Sequence, residues 1–341
     1  MKTPPEQMTQ PALHGLSVAR SHNSWRGAGF LNVMPHVWCM VRRILKSLLI
    51  LTLGVFVIGC TQILRNSGTP ALPPASPEAL RMATYNVHYI VVPRAEGPWS
   101  MADWERRKGP LDMAFKALEA DVIGFQEMES FAGSAISLDN LALDWLLSNN
   151  PNYGAAAAGD PRAFPSTQPI LYRRDRLQML GQGWFFFSET PDVLYARTFN
   201  GSYPAFASWA EFRDMRSDRV FRVVNVHTDF SSRSNRLQSA ELIAERIKPW
   251  IEAGETLYVI GDMNARLGAR KLAIMEDVGV TFTPVKGATF HFNRGLNLFG
   301  AIDHIGYAGP AQPLGAPVVL RQKFDGEWPT DHYPVVVDFA P

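Results

Sequence analysis

Side chains that bind metal ions or transfer protons follow short apolar runs at five places in the sequence. The segments are residues 84–88 (TYNVH), 121–127 (DVIGFQE), 225–229 (NVHTD), 258–264 (YVIGDMN) and the pair 302–305 (IDHI) with 330–332 (TDH). Carboxylates and amides at the ends of buried strands lie at the rim of a sheet, where their oxygens can hold a hard cation such as Mg²⁺. Histidines and acids beside such an ion can move protons, so this pattern indicates a site for metal binding and proton transfer.

The acids in these segments each allow two interpretations. Glu127 directly follows a run of Val, Ile and Phe, so it is either a metal ligand at the rim or an ordinary acid that begins a loop. Asp262 and Asn264 are two residues apart and point to one face in extended backbone, where they could orient or deprotonate a water molecule. An Asx-type turn after the strand explains the same pair equally well. Gly261 permits a turn or a close backbone approach at this point.

Two histidines are candidates for proton transfer. His332 follows Asp331 at the start of the last predicted strand, and Asp303 could accept the Nδ1–H of His332, fixing its tautomer and raising its basicity. His227 could stabilise a phosphate or protonate a leaving oxygen. Either ring could instead be a hydrogen-bonded structural residue. The sequence leaves open whether Asp262 or His332 takes the proton of the attacking water.

Three residues are weaker candidates for substrate binding. His88 is two residues after Asn86 and is expected to share its face of the strand. His291 is a similar candidate. Arg173 ends an apolar strand and could meet a phosphate, although a solvated turn accounts for it as well. His304 alternates away from Asp303 and is expected to pack in the core.

These side chains require strands that end at a common edge. Runs rich in Val, Ile, Tyr and Phe predict strands at 82–89, 122–126, 169–173, 179–188, 207–213, 220–227, 256–260, 301–307 and 334–339. A helix begins after Ser100 and is expected to be interrupted at Gly109-Pro110; others cover 138–148 and 234–251. The mixture predicts packed sheets flanked by helices, not an alternating βαβ fold.

The order of these motifs resembles the endonuclease/exonuclease/phosphatase superfamily, which has the DNase I-like fold. The likeness extends from residue 82 to residue 339 and implies an α/β four-layer α/β/β/α sandwich. It also implies Glu127 as the main Mg²⁺ ligand, with Asn86 and Asp331 nearby and Mn²⁺ as a possible substitute. It implies catalytic roles for the five residues His227, Asp262, Asn264, Asp303 and His332.

Departures from the pattern of this superfamily are small. Thr330 replaces the commoner Ser and keeps a hydroxyl, and Ala301 stands where many members have a basic residue. The tyrosine that some nucleases place near the scissile phosphate has no clear match, and Tyr172 is a weak candidate. Nuclease activity in particular is therefore in doubt.

The N-terminus resembles a bacterial lipoprotein leader. Residues 40–60 contain a basic segment, an apolar run at 47–59 and a small residue before Cys60. That run is shorter than the roughly 20 residues that span a bilayer. Residues 57–60 (VIGC) resemble a lipobox, which implies lipidation at Cys60 and a membrane-anchored protein facing the periplasm or the cell exterior. An uncleaved signal anchor is the alternative. Under either interpretation the remainder of the chain is exported.

The sequence predicts three segments: residues 1–59 as an N-terminal extension with signal peptide, 60–78 as a tether, and 79–341 as one domain. Residues 1–39 resemble neither a leader nor a core, which suggests Met40 as the true start. The Pro- and Gly-rich residues 66–77 are expected to form an extended spacer.

The composition limits the choice of partners. Residues 60–341 carry 27 basic and 31 acidic side chains, a net charge of −4, which disfavours tight binding of long nucleic acid. Two cysteines cannot form a disulfide framework. The resemblances to the superfamily and to a lipoprotein leader imply an exported, metal-dependent phosphoester hydrolase, most simply a phosphodiesterase. We expect it to be monomeric and to have no obligate protein partner. The alternatives are a nuclease, a phospholipid or sphingomyelin phosphodiesterase, and a non-catalytic binding lipoprotein.

Overall fold

The structure, a computed structural model, describes residues 34–68, 71–132, 139–201 and 203–340. The chain divides into two units, Met1–Phe56 and Val57–Pro341. Helix α1 (Met34–Asn66) is exposed, and its part from Val37 to Asn66 is long and apolar enough to cross a membrane, by length and composition alone. The helix therefore extends beyond both ends of the predicted apolar run at 47–59. Most of the predicted extension, residues 1–33, lies outside the described residues.

The first sheet has six strands among the described residues, in the order β13-β14-β1-β3-β6-β5. Its strands are β1 (Leu80–Asn86), β3 (Val122–Gln126), β5 (Tyr153–Ala156), β6 (Ile170–Arg173), β13 (Val318–Val319) and β14 (Val335–Phe339). Only β1 and β3 are parallel; the other pairings are antiparallel. A separate parallel pair, β2 (Ile90–Val91) with β4 (Ser130–Phe131), follows the ends of β1 and β3.

The second sheet repeats this plan with the order β11-β12-β10-β9-β8-β7. Its strands are β7 (Leu177–Phe186), β8 (Phe206–Asp214), β9 (Val220–His227), β10 (Thr256–Asp262), β11 (Thr281–Phe282) and β12 (Asp303–Ala308). Again one central pair, β9 with β10, is parallel and the rest are antiparallel.

Four helices cover the outer faces of the two sheets. Helices α2 (Met101–Leu118) and α3 (Leu141–Asn149) cover the first sheet, and α4 (Arg233–Glu252) and α5 (Arg270–Glu276) cover the second. Ser100 caps α2 by accepting a hydrogen bond from the Asp103 backbone N–H, as predicted. The predicted interruption at Gly109-Pro110 is absent, because α2 continues through both residues. Burial of Pro110, Leu111 and Phe115 offsets the lost backbone hydrogen bond.

Three apolar cores separate four layers, which confirms the predicted α/β/β/α sandwich. The middle core lies between the sheets and joins Met82, Val122 and Ile170 of the first to Val223, Ile260 and Ile305 of the second. The outer cores pack α2 and α3, or α4 and α5, on the far faces. Because every central strand is covered on both faces, these strands are continuous apolar runs, and this made them recognisable in the sequence.

A polar contact crosses the middle core directly behind the ends of the central strands. Gln126 Nε2 donates to Asn225 Oδ1 at 2.6 Å, and Asn225 Nδ2 donates to the Phe125 carbonyl at 2.7 Å. Both side chains are fully buried. We call this pair the amide bridge; its directional hydrogen bonds hold the two sheets in one alignment.

The segment expected to be a free spacer is instead hydrogen-bonded to the domain. The Ala288 N–H donates to the Asn66 carbonyl at 3.0 Å, and Arg321 donates to the Gly68 carbonyl. Farther along, Ala75 N–H donates to Glu119 at 3.0 Å, and the Arg81 guanidinium donates to the Pro73 carbonyl at 2.9 Å. Residues 60–66 of the predicted tether belong to α1 instead. The described residues between Asn66 and β1 lack regular secondary structure but are hydrogen-bonded to the domain near both ends.

Candidate active site

The ends of the two parallel strand pairs bring the predicted residues together. Asn86 ends β1 opposite Gln126 of β3, and Asp262 ends β10 opposite His227 of β9. Parallel neighbours end at the same edge of a sheet, so each sheet delivers its own pair. Asp303 begins β12 opposite Asp262, because β12 is antiparallel to β10.

Asn86 lies at the centre of the cluster and links acids from both sheets. Its Nδ2 donates to Glu127 Oε1 at 3.1 Å and to Asp262 Oδ2 at 3.2 Å. Its Oδ1 accepts from the His88 backbone N–H at 3.1 Å. Asn86 was expected to be a metal ligand, but this orientation directs its N–H groups at the carboxylates. A ligand role requires the amide to turn over; the orientation seen here positions Glu127 and Asp262.

Glu127 and Asp331 provide oxygens suited to a hard divalent cation. Burial raises the pKa of Glu127, the nearby His227 imidazole opposes this rise, and the Asp331 carboxylate adds to it. The Glu127 side chain nevertheless keeps 26% of its surface exposed, so an ion can reach it from solvent. Two acids that repel each other at a partly buried site fit a bound Mg²⁺ or Mn²⁺, because a cation removes the cost of their charge.

His332 and Asp303 form a buried ion pair. His332 Nδ1 lies 2.9 Å from Asp303 Oδ2 and 3.2 Å from Oδ1. Burial lowers the pKa of His332, but the Asp303 charge, its hydrogen bond and the Asp262 charge outweigh burial and raise that pKa to about 10. The ring is therefore protonated at neutral pH, with its Nε2 3.8 Å from Asp262 Oδ2.

Asp262, Asp303 and His332 also lie close enough together to hold a metal ion as a group. A histidine binds metal through a neutral nitrogen, and the contact with Asp303 favours the charged ring. The Glu127–Asp331 position fits a cation better, since both of its donors are oxygens.

The backbone turns sharply after Asp262. The Asn264 backbone N–H donates to Asp262 Oδ1 at 2.8 Å, which is the Asx-type turn considered for the sequence, and Asn264 has φ of 45°. The pair is therefore not extended, yet both residues remain at the edge of the sheet. Asn264 Nδ2 donates to the Thr228 carbonyl at 2.8 Å, which ties this turn to the end of β9.

His227 faces the Glu127 and Asp262 carboxylates without a direct hydrogen bond to either. Its Nε2 lies 3.7 Å from Glu127 Oε1 and 3.8 Å from Asp262 Oδ2. Tyr203 lies against this ring, with centroids 5.9 Å apart. The buried Tyr203 hydroxyl has no hydrogen-bond partner within the described ranges. Burial raises its pKa, and the Glu127 and Asp262 charges raise it further, which places the hydroxyl beside the cluster.

Two of the three candidates for substrate binding pack at the border of the cluster. His88 is buried, its Nδ1 lies 3.3 Å from the Tyr89 carbonyl, and burial lowers its pKa. His291 is fully buried against the Tyr333 and Trp328 rings at 4.1 and 4.6 Å, and burial lowers its pKa to about 4. Both rings are therefore neutral, and each braces the loop that carries it.

Arg173 does not join the cluster. It ends β6, which pairs Tyr172 with Val122 at the start of β3, whereas Glu127 follows the other end of β3. Five residues of strand separate these ends by about 13 Å. Arg173 contacts Asp175 at 2.5 Å, and the ring of Tyr172 packs on Phe212 in the middle core.

Two buried basic side chains that the sequence did not indicate support the site. Arg107 of α2 donates to the Val87 and His88 carbonyls at 2.9 and 3.1 Å and to the Pro329 carbonyl at 3.3 Å. It thereby joins the chain after Asn86 to the segment before Asp331. Lys271 donates to Thr228 Oγ1 at 2.7 Å, beneath the turn at Asp262. Each adjoins another basic residue in its helix, Arg106 and Lys108 beside Arg107 and Arg270 beside Lys271, a pattern that ordinarily indicates a solvated face.

A family model described as "Endonuclease/Exonuclease/phosphatase family" matches residues 83–332. Among solved structures, a mannosyl-6-phosphatase of Bacteroides thetaiotaomicron is 21% identical, with 76% of this chain and 99% of that chain covered and a TM-score of 0.64. An endonuclease/exonuclease/phosphatase from Bacteroides vulgatus is 24% identical (76% and 98% covered, TM-score 0.63). The human Nocturnin catalytic domain with bound sulfate is 14% identical (77% and 93%, TM-score 0.54). No curated protein gives a significant match.

Proposed function

The chain belongs to the endonuclease/exonuclease/phosphatase family, and from this premise we propose that it is a metal-dependent phosphodiester hydrolase exported and held at a membrane. The observation that carries this proposal is the single cluster formed by Glu127, His227, Asp262, Asp303 and His332 at facing strand ends. A binding protein that had lost catalysis would have no need of five ionisable groups at this spacing.

Asp262 is the general base in this mechanism. His332 carries a proton at neutral pH because its pKa is raised to about 10, so it has no lone pair free to accept another. Asp262 Oδ2 lies 3.8 Å from both imidazole Nε2 atoms and accepts one hydrogen bond, from Asn86. It therefore retains acceptor capacity for the proton of a water molecule that attacks phosphorus in line.

The two imidazoles act on the phosphate. Protonated His332 stabilises the negative charge that develops on the phosphoryl oxygens, and Asp303 holds the ring in position. His227, on the other side of Asp262, is placed to donate to a phosphoryl oxygen or to the leaving oxygen. Asn264 adds a polar side chain at the same edge, with its amide nitrogen fixed by Thr228.

Glu127 and Asp331 would hold Mg²⁺ or Mn²⁺, with Asn86 next to them. A divalent cation bound there supplies positive charge that polarises the phosphoester. The roles of the protein residues are to bind the ion through carboxylate oxygens and to keep Asn86 directed at Asp262.

The test is hydrolysis of an aryl phosphodiester, beside the matching monoester, by the full chain in detergent with Mg²⁺, Mn²⁺ or EDTA. We expect metal-dependent diester turnover that falls about 10³-fold in Asp262→Ala and His332→Ala. The control is Asp218→Asn, an exposed acid whose φ of 57° suits asparagine. Turnover of the monoester alone would replace the diester assignment, and EDTA-resistant turnover would contradict the metal.

A further inference from the structure

Two loops beside the catalytic cluster expose apolar and arginine side chains. Residues 263–271 follow Asp262 and residues 281–302 precede Asp303, and neither segment contains an acid. Six of their exposed members form what we call the aromatic–arginine face: Arg266, Leu267, Phe292, Arg294, Leu296 and Phe299. An exposed set this rich in apolar side chains beside a catalytic cluster marks an interaction surface.

This face is continuous with the catalytic imidazole. The Phe290 ring lies 5.0 Å from His332 and 4.4 Å from Phe292, and Phe292 lies 6.0 Å from Phe299. The Arg266 guanidinium lies over Phe299 at 5.6 Å. Phe299 nevertheless keeps 45% of its surface exposed. The row of rings therefore leads from the reacting centre out to solvent.

The charge of the face is opposite to that of the domain. Residues 60–341 carry a net charge of −4, whereas the face carries two arginines and no acid. Neither Arg266 nor Arg294 has an ion-pair partner in the part of the chain that the structure describes. Unpaired arginines among exposed aromatic and leucine side chains complement a surface that is both anionic and apolar, as anionic lipid headgroups are.

The chain that follows the apolar helix is bound to the same loop. Asn66, the last residue of α1, donates from Nδ2 to the Asn297 carbonyl at 3.2 Å, and Asn297 Nδ2 donates to Ser67 Oγ at 2.9 Å. The loop of Phe292 and Phe299 is thus held at the polar end of a segment apolar enough to enter a bilayer. The leucines of the face also favour lipid over nucleic acid. Bases stack on aromatic rings and guanidinium groups, and a leucine side chain offers no such flat surface.

We propose that the aromatic–arginine face rests on an anionic lipid bilayer and that the substrate is a phosphate ester of a lipid headgroup. The rings and leucines enter the interfacial region, the two arginines contact lipid phosphates, and the row from Phe299 to Phe290 brings the ester to His332 and Asp262. This inference rests on the proposed phosphodiester hydrolysis and names the class of its substrate.

The test uses the full chain reconstituted in phosphatidylcholine vesicles with and without phosphatidylglycerol. Headgroup release from the vesicle lipid is compared with hydrolysis of a soluble aryl phosphodiester and of a single-stranded oligonucleotide. We expect the ratio of lipid to aryl turnover to fall about tenfold in Phe292→Ser with Phe299→Ser. Arg266→Gln with Arg294→Gln is expected to lower this ratio only with phosphatidylglycerol, and less at high salt.

The control is Leu314→Ser, which removes a more exposed apolar side chain at the other end of the domain. Leu314 lies beside Asp338 of β14, which pairs with Arg81 at the start of β1. An unchanged lipid ratio in both double variants overturns the proposal. A selective loss of oligonucleotide hydrolysis overturns it in favour of a nucleic-acid face.

A second measurement does not depend on turnover. Amide hydrogen exchange in the two loops should slow in vesicles that contain phosphatidylglycerol relative to detergent, and equal exchange would overturn the membrane contact. If the aryl diester is not hydrolysed by the wild-type chain, the proposed reaction fails, while hydrogen exchange still decides whether the face binds lipid.

Discussion

At the scale of single residues, the charge of His332 depends on one buried neighbour. Asp303 raises the pKa of His332 to about 10 against the effect of burial, and both side chains are almost completely enclosed. In the unfolded chain the same imidazole has a pKa near 6.5. Folding therefore stabilises the protonated ring, and the stability of the protein becomes linked to pH.

Asp303→Asn is expected to lower the free energy of unfolding by about 3 kcal/mol at pH 6.5. Because the folded pKa is higher than the unfolded one, the contribution of the ion pair is fully present below the unfolded value of 6.5. It is lost as pH rises through about 10. Urea denaturation of wild type and variant at both pH values measures the difference. An effect that grows toward pH 10 would contradict the assigned charge.

Asp262, Asp303 and His332 could be predicted from the sequence because each follows or precedes a strong apolar strand. The structure brings these three together as expected. Tyr203 and Lys271 could not be predicted in this way, since their contacts come from a loop and a helix far from them in sequence. For Asn264 the sequence allowed extended backbone and an Asx-type turn equally, and the structure has the turn, in which the Asn264 backbone N–H donates to Asp262.

At the scale of elements, the site depends on how closely β9 and β10 approach at their ends. Gly261 has φ of 143°, and a Cβ at this position would lie 1.9 Å from the Val226 carbonyl oxygen. The adjacent residue is Asp262, whose partner across the pair is His227. Any displacement of this strand end therefore moves Asp262, the proposed base, relative to both imidazoles.

Gly261→Ala is expected to destabilise the fold by several kcal/mol and to abolish turnover, because backbone atoms cannot move aside as a flexible side chain can. The matched control is Gly254→Ala, which also has positive φ, at 77°, but has no atom within 4 Å of the added Cβ. The control should cost only about 1 kcal/mol, the strain of the left-handed backbone. Thermal unfolding and aryl diester turnover are measured for both variants. Equal losses of stability and turnover in the two variants would show that the contact of the added Cβ with the Val226 carbonyl oxygen is not the cause.

The longer strands could be predicted because they are buried on both faces and continuously apolar. The two-residue strands β2, β4, β11 and β13 have no such run, and β5 (Tyr153–Ala156) is rich in glycine and alanine. The helix at Arg233–Glu252 followed its apolar spacing closely. Its neighbour α5 is only seven residues long and was missed, since so short a helix shows little periodicity.

At the scale of the whole molecule, the proposed location of the protein depends on its N-terminus. Helix α1 continues past Cys60, whose side chain is exposed and free of a disulfide. Wild-type chain expressed in a bacterium is expected to incorporate labelled palmitate, and Cys60→Ser is expected to lose the label. The control Cys39→Ser should keep it. Label retained in Cys60→Ser, or membrane association without any label, would support the signal anchor instead.

The sequence could not reveal that the Pro-rich segment after this helix lies on the domain. Spacer composition predicts extension, but it carries no information on which carbonyl groups meet Arg81 or Arg321. The contact of Arg321 with Gly68 joins residues more than two hundred positions apart. The hydrogen-bond partners of this segment come together only when the domain folds.

The amide bridge between Gln126 and Asn225 has a consequence for how sharply one structure is specified. Two apolar sheet faces can slide past each other at little cost, because hydrophobic contact has no preferred direction. The hydrogen bonds of the bridge are directional, so they favour one of many alignments of the two sheets that have nearly equal energy. The bridge lies immediately behind Glu127. Replacing both amides by leucine should therefore leave the melting temperature nearly unchanged while broadening the NMR signals of the strand ends and lowering turnover. Sharp signals with full turnover would show that side-chain packing alone sets the alignment.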